Sequence, residues 1–151
     1  MPLIGATLLF KKSTIHNIPD INDVRTLLEI IRSTGAKVTL ENHTLSVDTT
    51  EMGSKKINLD LVGKIRASIL LVPGLIRTLK SVELPYPGGC NIGKRPIDFL
   101  MNGFFEIGYT GTYGDSGVSI SGQAKEGDVE FSAGFAVTAT ESLILANVLR
   151  K

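Results

Sequence analysis

The chain has 151 residues, of which 42% are hydrophobic, with 16 basic side chains against 15 acidic ones. A chain of this length can bury one good core, so the length alone predicts a single domain. The net charge of +1 gives no general electrostatic reason to bind nucleic acid or an anionic membrane, and we predict neither as a partner. The single cysteine excludes an internal disulfide, and the two histidines lack the neighbours that a zinc site needs.

Two apolar stretches were weighed as targeting or membrane segments, and both fail. Residues 1–4 are followed by Lys11 and Lys12, whereas a signal peptide places its charges before the apolar part. Residues 65–79 are too few for a membrane span and include two arginines and a proline. We therefore expect a soluble protein in the cytoplasm.

The first third of the chain alternates strand and helix spacing. One predicted helix has an apolar face formed by Ile21, Val24, Leu27, Leu28 and Ile31. Asp20 is its candidate N-cap, and Gly35 is the candidate residue that follows its C-cap. Strands are predicted on either side, at residues 14–18, 37–40 and 44–47, with a turn at 41–43.

The rest of the chain repeats this pattern. In order, it predicts a helix bent at Pro73-Gly74, a strand, a helix, a hairpin and a final helix, over residues 61–79, 81–84, 96–107, 109–113 with 117–121, and 140–149. The offset is constant at 73 residues, from Gly35 to Gly108 and from Val47 to Ile120. We divide the chain into a first unit over residues 1–58, a second over 59–126 and a partial third over 127–151.

These repeats predict an α/β (α+β) domain of helix-strand-helix-hairpin units. The sheets are expected outside, and the apolar faces of the helices are expected to pack inside. The third unit is incomplete, so its closing strands would come from Met1–Phe10 or from another chain.

A glycine-rich loop at residues 87–96 holds the chain's only cysteine, Cys90, with two cations close by. Glycines let a backbone approach a ligand closely, and nearby cations lower the pKa of a thiol. The loop has the glycine and lysine spacing of a phosphate-binding P-loop, but Arg95 and Pro96 stand where that motif needs Ser or Thr. The residues therefore predict an anion site of another kind, with Cys90 either reactive or simply buried and inert.

The segment from Pro87 to Asp98 resembles the cysteine loop of the UDP-N-acetylglucosamine 1-carboxyvinyltransferase family of enolpyruvyl transferases. Three further segments are similar to motifs of that family: its first strand-helix-strand unit, a Lys-x-Arg-Ala-Ser helix and a Gly-Ala-Thr-Glu-Asn segment, at residues 18–38, 64–69 and 139–142. The resemblance implies an inside-out barrel of three units, as the first of two similar domains that enclose the active site.

The resemblance also implies roles for individual residues. Cys90 would assist proton transfer at the enolpyruvyl carbon and form an adduct with phosphoenolpyruvate. Arg66 and Arg95 would surround phosphoenolpyruvate, since a guanidinium offers a planar fork suited to phosphate and carboxylate. Two segments would bind the sugar nucleotide: Pro96, Ile97, Asp98 and Phe99 at the uracil, and Val137, Thr138 and Ala139 at the diphosphate.

Plainer alternatives stand beside these roles. Without the resemblance, Arg66 is best interpreted as an exposed helix cation. Asp98 is equally suited to complement the dipole of its own helix. Thr138 occupies a position where the family usually has glycine, which is a departure at the diphosphate contact.

The implied partners are phosphoenolpyruvate and UDP-N-acetylglucosamine, with no metal or organic cofactor. The family's Lys-Asn pair, its general base and its remaining arginines would lie outside these 151 residues. A second chain or a second copy would then complete the cleft, and the chain alone is expected not to turn over. The alternatives are a non-catalytic nucleotide-sugar-binding or assembly module, and a fragment of a shikimate-type enolpyruvyl transferase.

Overall fold

The computed structural model describes residues 1–53, 57–88, 97–131 and 136–149. Over these residues the α-helices are α1 Pro2–Ala6, α2 Asn22–Ser33, α3 Leu59–Val62, α4 Val72–Leu79, α5 Asp98–Glu106 and α6 Val137–Asn147. The strands are β1 Lys12–Ile15, β2 Lys37–Glu41, β3 Thr44–Asp48, β4 Ser81–Leu84, β5 Thr110–Gly114 and β6 Gly117–Ser121. Two 3₁₀ helices, Thr7–Leu9 and Arg66–Leu71, lead into β1 and α4.

Two antiparallel sheets repeat one topology. The first has the strand order β1-β3-β2 and the second has β4-β6-β5, so in both the middle strand is the second strand of a hairpin. Lys37 pairs with Asp48 in the first hairpin, and Thr110 pairs with Ser121 in the second. Both pairs are related by the same offset of 73 residues, which confirms the predicted repeat down to strand register.

The first hairpin turns at Asn42 and His43, as predicted. Both residues adopt left-handed backbone angles, with φ of 47° and 60°, which match the twist of a two-residue hairpin loop. Nδ1 of His43 lies 3.0 Å from the carbonyl oxygen of Ile18, and the Ile18 N–H donates to the carbonyl of His43 at 2.9 Å. The turn is therefore tied to the segment that precedes α2.

The helices fill the interior, and each sheet covers them with one face. In β3, Leu45 and Val47 are buried whereas Ser46 between them is exposed, and in β6 Val118 and Ile120 are buried. The largest fully buried side chains include Leu27, Ile31, Leu71, Leu75, Met101 and Phe104. Burial of one such side chain contributes about 1.5–3 kcal/mol. The predicted arrangement of sheets outside and helices inside is confirmed.

The beginning of the chain packs as helix, so it does not supply strands to the third unit. The α1 helix and the first 3₁₀ helix contact α4, and α1 also contacts α6. A Cβ atom at Gly74 would overlap the Leu8 side chain, and a Cβ atom at Gly5 would lie 2.5 Å from the Leu70 carbonyl oxygen. Glycine at both positions allows this close packing. The suggestion that Met1–Phe10 closes the third sheet is therefore wrong.

The predicted single helix over residues 61–79 is also wrong. The α3 helix ends at Val62, Ile65 is extended with φ −130° and ψ 139°, and a 3₁₀ helix follows before α4. Pro73 lies in the first turn of α4, where its missing N–H costs nothing, so it opens a helix and does not bend one.

Two element ends differ from expectation for local reasons. The N-cap of α2 is Ile21, because the Asp20 carboxylate instead accepts hydrogen bonds from Nε and Nη2 of Arg25 at 2.6 and 2.7 Å. Strand β1 ends at Ile15, before Asn17 takes a left-handed φ of 63°. Gly35 follows the C-cap of α2 with φ 97°, as predicted.

Candidate functional site

The structure describes most of the predicted site residues. Arg66 begins the second 3₁₀ helix, Asp98 and Phe99 begin α5 after Ile97, and Val137, Thr138 and Ala139 begin α6. The remaining three predicted site residues, Cys90, Arg95 and Pro96, lie outside the described residues. Their roles stay predictions.

A buried serine fixes the segment that carries Arg66. Ser68 is only 1% exposed, and its hydroxyl lies 2.9 Å from the Val62 carbonyl oxygen and 2.7 Å from that of Ile65. These contacts join the end of α3 to the start of the 3₁₀ helix. Arg66 therefore projects from a fixed break in the chain and not from the exposed face of a continuous helix.

The guanidinium of Arg66 lies over an aromatic ring. Its Cζ atom is 6.0 Å from the centroid of the Tyr86 ring, and Arg66 is half-buried. A guanidinium in this position is attracted by the negative face of the ring. The interpretation of Arg66 as an exposed helix cation is therefore wrong, and Tyr86 is a neighbour that sequence reasoning missed.

The start of the thiol loop packs against the same break. A Cβ atom at Gly88 would overlap the carbonyl oxygen of Gly63, so the two backbones are in direct contact. Pro87 is buried beside this contact. The described start of the loop thus approaches the segment that holds Arg66, although the two are far apart in sequence. Only glycine permits this approach.

The first turn of α5 presents its predicted residues in two ways. Ile97 is buried, whereas Asp98 and Phe99 are exposed, with 44% of Phe99 accessible. Ile97 is the N-cap and makes no side-chain cap bond, so the first backbone N–H groups of α5 are not capped by a side chain. Such a helix start suits an acceptor-rich ligand.

Asp98 has a partner across the sheet. The hydroxyl of Tyr113, in β5, is hydrogen-bonded to the Asp98 carboxylate. Partial burial of the phenol, followed by the charge and hydrogen bond of Asp98, raises the pKa of Tyr113 above its ordinary value. The carboxylate therefore stays ionised beside a neutral donor at neutral pH. Tyr113 is the second neighbour that was missed.

The first turn of α6 has the same character. Val137 is 71% exposed, Thr138 is half-buried and Ala139 is buried. The N-cap is Ala136, which has no side chain able to cap the helix. The free N–H groups are consistent with the predicted diphosphate contact, and Thr138 adds a hydroxyl where glycine was expected.

The concave surfaces measured elsewhere on the molecule contain none of the predicted site residues. One of about 440 Å³ includes Arg77, Lys80 and Tyr109, and another of about 390 Å³ lies on the outer face of the first sheet. No group of three or more potential metal ligands occurs within the described residues. No described helix is long and apolar enough to cross a membrane.

Comparison with protein families gives one match along the whole chain. The model described as EPSP synthase (3-phosphoshikimate 1-carboxyvinyltransferase) matches residues 1–151.

Curated relatives also match over nearly the full chain. UDP-N-acetylglucosamine 1-carboxyvinyltransferase from Wolinella succinogenes is 36% identical, over 100% of this chain and 37% of its own length. The protein of that name from Campylobacter lari is 34% identical, over 99% and 36%. UDP-N-acetylglucosamine 1-carboxyvinyltransferase 3 from Caldanaerobacter subterraneus is 36% identical, over 97% and 35%. The chain spans little more than a third of the length of these relatives.

Solved structures share the fold. The enolpyruvyl transferase NikO from Streptomyces tendae superposes with a TM-score of 0.77 at 22% identity, over 96% of this chain and 35% of that one. EPSP synthase from Acinetobacter baumannii superposes with a TM-score of 0.69 at 17% identity, over 99% and 37%.

Proposed function

The chain belongs to the EPSP synthase (3-phosphoshikimate 1-carboxyvinyltransferase) family, and we propose that it forms the thiol-loop and nucleotide-sugar part of a UDP-N-acetylglucosamine 1-carboxyvinyltransferase. The curated relatives at 33–36% identity carry that name. The shikimate-type alternative has the family model's name in its favour, but it does not account for those relatives or for the cysteine loop.

One observation carries the proposal. Gly88 rests on the Gly63 carbonyl, so the loop that contains Cys90 starts beside the segment that holds Arg66. A thiol and a guanidinium on neighbouring segments suit a small anionic substrate that undergoes proton transfer. Phosphoenolpyruvate, with its phosphate and carboxylate, is such a substrate.

The proposed roles follow from charge and position. Arg66, held over Tyr86, and Arg95 in the loop bind the phosphate and carboxylate of phosphoenolpyruvate. Cys90 exchanges a proton with the methylene carbon. We propose no resident metal or cofactor, because both substrates bring the groups that react.

The proposed reaction balances without a further reactant. A proton adds to the methylene carbon of phosphoenolpyruvate, while the 3-hydroxyl oxygen of the sugar bonds to the central carbon and gives up its own proton to a base. Loss of a methyl proton and of inorganic phosphate then restores the double bond. Because the chain spans about a third of its relatives' length, the base is proposed to come from a second segment or a second chain.

The nucleotide sugar is proposed to bind at the two uncapped helix starts. The uracil would lie against Pro96, Ile97, Asp98 and Phe99, and the diphosphate would lie against Val137, Thr138 and Ala139. Free N–H groups at a helix start favour a diphosphate, and the carboxylate of Asp98 accepts a hydrogen bond from a ring N–H. A cytoplasmic location fits both substrates.

NMR titration of isotope-labelled protein with UDP-N-acetylglucosamine tests this site. Part of a cleft buries less of a ligand, so we expect a Kd on the order of 1 mM, with shifts confined to the starts of α5 and α6. The corresponding GDP-sugar is the matched control and should shift only the α6 start. An unchanged spectrum at several millimolar UDP-N-acetylglucosamine would refute the site.

Phosphate release separates a self-sufficient enzyme from a binding module. With phosphoenolpyruvate and UDP-N-acetylglucosamine, the 151-residue chain by itself is expected to release no phosphate, since the resemblance places the base outside it. Steady release that disappears in Cys90→Ala would show instead that the chain turns over unaided.

A further inference from the structure

Tyr113 occupies the place in the second hairpin that Leu40 has in the first. The two residues are 73 apart, and they pair across their hairpins at the same register, Leu40 with Leu45 and Tyr113 with Val118. Leu45 and Val118 are both buried, so Leu40 and Tyr113 lie on the helix-facing side of their sheets. Tyrosine adds a hydroxyl to a side that is apolar in the first unit.

The ring of Tyr113 lies alongside α5. Its centroid is 6.3 Å from that of Phe105, with the ring planes inclined by 38°. Asp98 and Phe105 are seven residues apart and therefore share one face of the helix. The phenol contacts that face with its ring near Phe105 and its hydroxyl on the Asp98 carboxylate, at the helix start.

This contact decides what the Asp98 carboxylate does. A carboxylate at a helix start usually turns toward the free backbone N–H groups. In α5 no side chain caps those groups, and the carboxylate is hydrogen-bonded to the sheet instead. The backbone donors and a carboxylate oxygen are then presented together to a ligand.

We propose that Tyr113 is a positioning residue of the nucleotide-sugar site: its hydroxyl holds the Asp98 carboxylate in the orientation that accepts a hydrogen bond from the uracil ring N–H. The inference rests on the proposed function and adds to it a residue outside the loop and outside both helix starts. Because burial and Asp98 raise the pKa of Tyr113, the phenol remains a proton donor throughout the neutral range.

A double-mutant cycle tests the proposal. The Kd for UDP-N-acetylglucosamine is measured by NMR titration for the wild type, Tyr113→Phe, Asp98→Asn and the double variant. Removal of the hydroxyl is expected to weaken binding about three- to tenfold in the wild type, the range of one hydrogen bond, and to have no effect in Asp98→Asn. Thr112→Val, on the opposite face of the same strand, is the matched control and should bind like the wild type.

Each other outcome is decisive. Equal affinity of Tyr113→Phe and the wild type overturns the inference and leaves the proposed function intact. Equal weakening in the Asp98→Asn background shows a merely structural role and also overturns it. Absence of binding by the wild type removes the proposed function and the inference together.

Phenol ionisation gives a readout that needs no ligand and no Tyr113 variant. Alkaline titration followed by ultraviolet absorbance should show a tyrosine that ionises above the ordinary value of 10.0. In Asp98→Asn its pKa should fall, because the negative neighbour is gone. An unchanged titration would show that Tyr113 and Asp98 do not interact, and the positioning role would be excluded even if Tyr113→Phe failed to fold.

Discussion

At the scale of single residues, two buried serines have opposite environments. Ser68 is 1% exposed and its hydroxyl contacts the carbonyl oxygens of Val62 and Ile65, whereas Ser142 in α6 is 0% exposed and finds no hydrogen-bond partner within the described part of the chain. A paired buried hydroxyl stabilises the fold, while an unpaired one costs free energy.

The same substitution should therefore have opposite effects at these two positions. Ser68→Ala is expected to lower the free energy of unfolding by about 1 kcal/mol, and Ser142→Ala is expected to leave it unchanged or raise it by up to about 1 kcal/mol. Urea denaturation followed by circular dichroism measures both. A larger loss in Ser142→Ala than in Ser68→Ala would contradict the assigned environments.

Residue identity alone could not reveal Tyr86 or Tyr113 as neighbours of the site. Their partners, Arg66 and Asp98, lie 20 and 15 residues away in sequence, and only the packing of strand on helix brings each pair together. The internal repeat did hold a signal for Tyr113, since it stands where the first unit has Leu40.

At the scale of elements, the helix contacts depend on glycine. Gly74 lies in α4, where a Cβ atom would overlap the side chain of Leu8 in the preceding 3₁₀ helix. Such an overlap forces backbone or side-chain shifts that cost about 1–3 kcal/mol.

We expect Gly74→Ala to lower the free energy of unfolding by about 1–3 kcal/mol, even though alanine favours helix more than glycine does. Gly114→Ala is the matched control, because a Cβ atom there meets nothing within 4 Å, and its effect should stay below about 0.5 kcal/mol. Thermal denaturation compares the two. Equal stability of both variants would mean that α1 and α4 are less tightly packed than described.

The end of β3 makes the first sheet sensitive to acid. The Asp48 carboxylate accepts hydrogen bonds from the hydroxyl and the backbone N–H of Thr50, and Lys12 lies 3.4 Å away. These contacts, with the Thr50 hydroxyl first, lower the pKa of Asp48 to about 2.

A lowered carboxyl pKa stabilises the folded state above the ordinary pKa of 3.8, and this contribution is lost as the pH falls toward about 2. The wild type is therefore expected to lose more stability than Asp48→Asn between pH 4 and pH 2. Urea midpoints at several pH values in that interval provide the measurement. Parallel pH profiles for the two proteins would exclude the contribution of Asp48.

Element prediction failed where distant contacts override local spacing. Residues 61–79 have helical spacing, but the hydroxyl of Ser68 bonds back to the end of α3 and Pro73 begins a new helix. In the same way, Arg25 draws Asp20 away from the N-cap position of α2. The first hairpin was predictable because Asn42 and the strand alternation are purely local signals.

At the scale of the whole molecule, the repeat was readable because both units place glycine in a left-handed conformation after a helix. Gly35 and Gly108 have φ of 97° and 108°. The contact of Gly88 with Gly63 was not predictable, since nothing in the sequence specifies how a loop packs on a segment 25 residues earlier. That contact is nevertheless what links the thiol loop to Arg66.

The central claim is that this loop presents a reactive thiol, and the alkylation rate of Cys90 tests it most directly. Cys90 is the only cysteine, so mass spectrometry after iodoacetamide treatment reports on it alone. The native chain is predicted to react faster at pH 7 than the same chain unfolded in urea, because nearby cations raise the thiolate fraction, and Arg95→Gln should slow the native reaction. Native protein that resists labelling, or reacts more slowly than the unfolded chain, would show that Cys90 is an inert buried residue and would contradict the account.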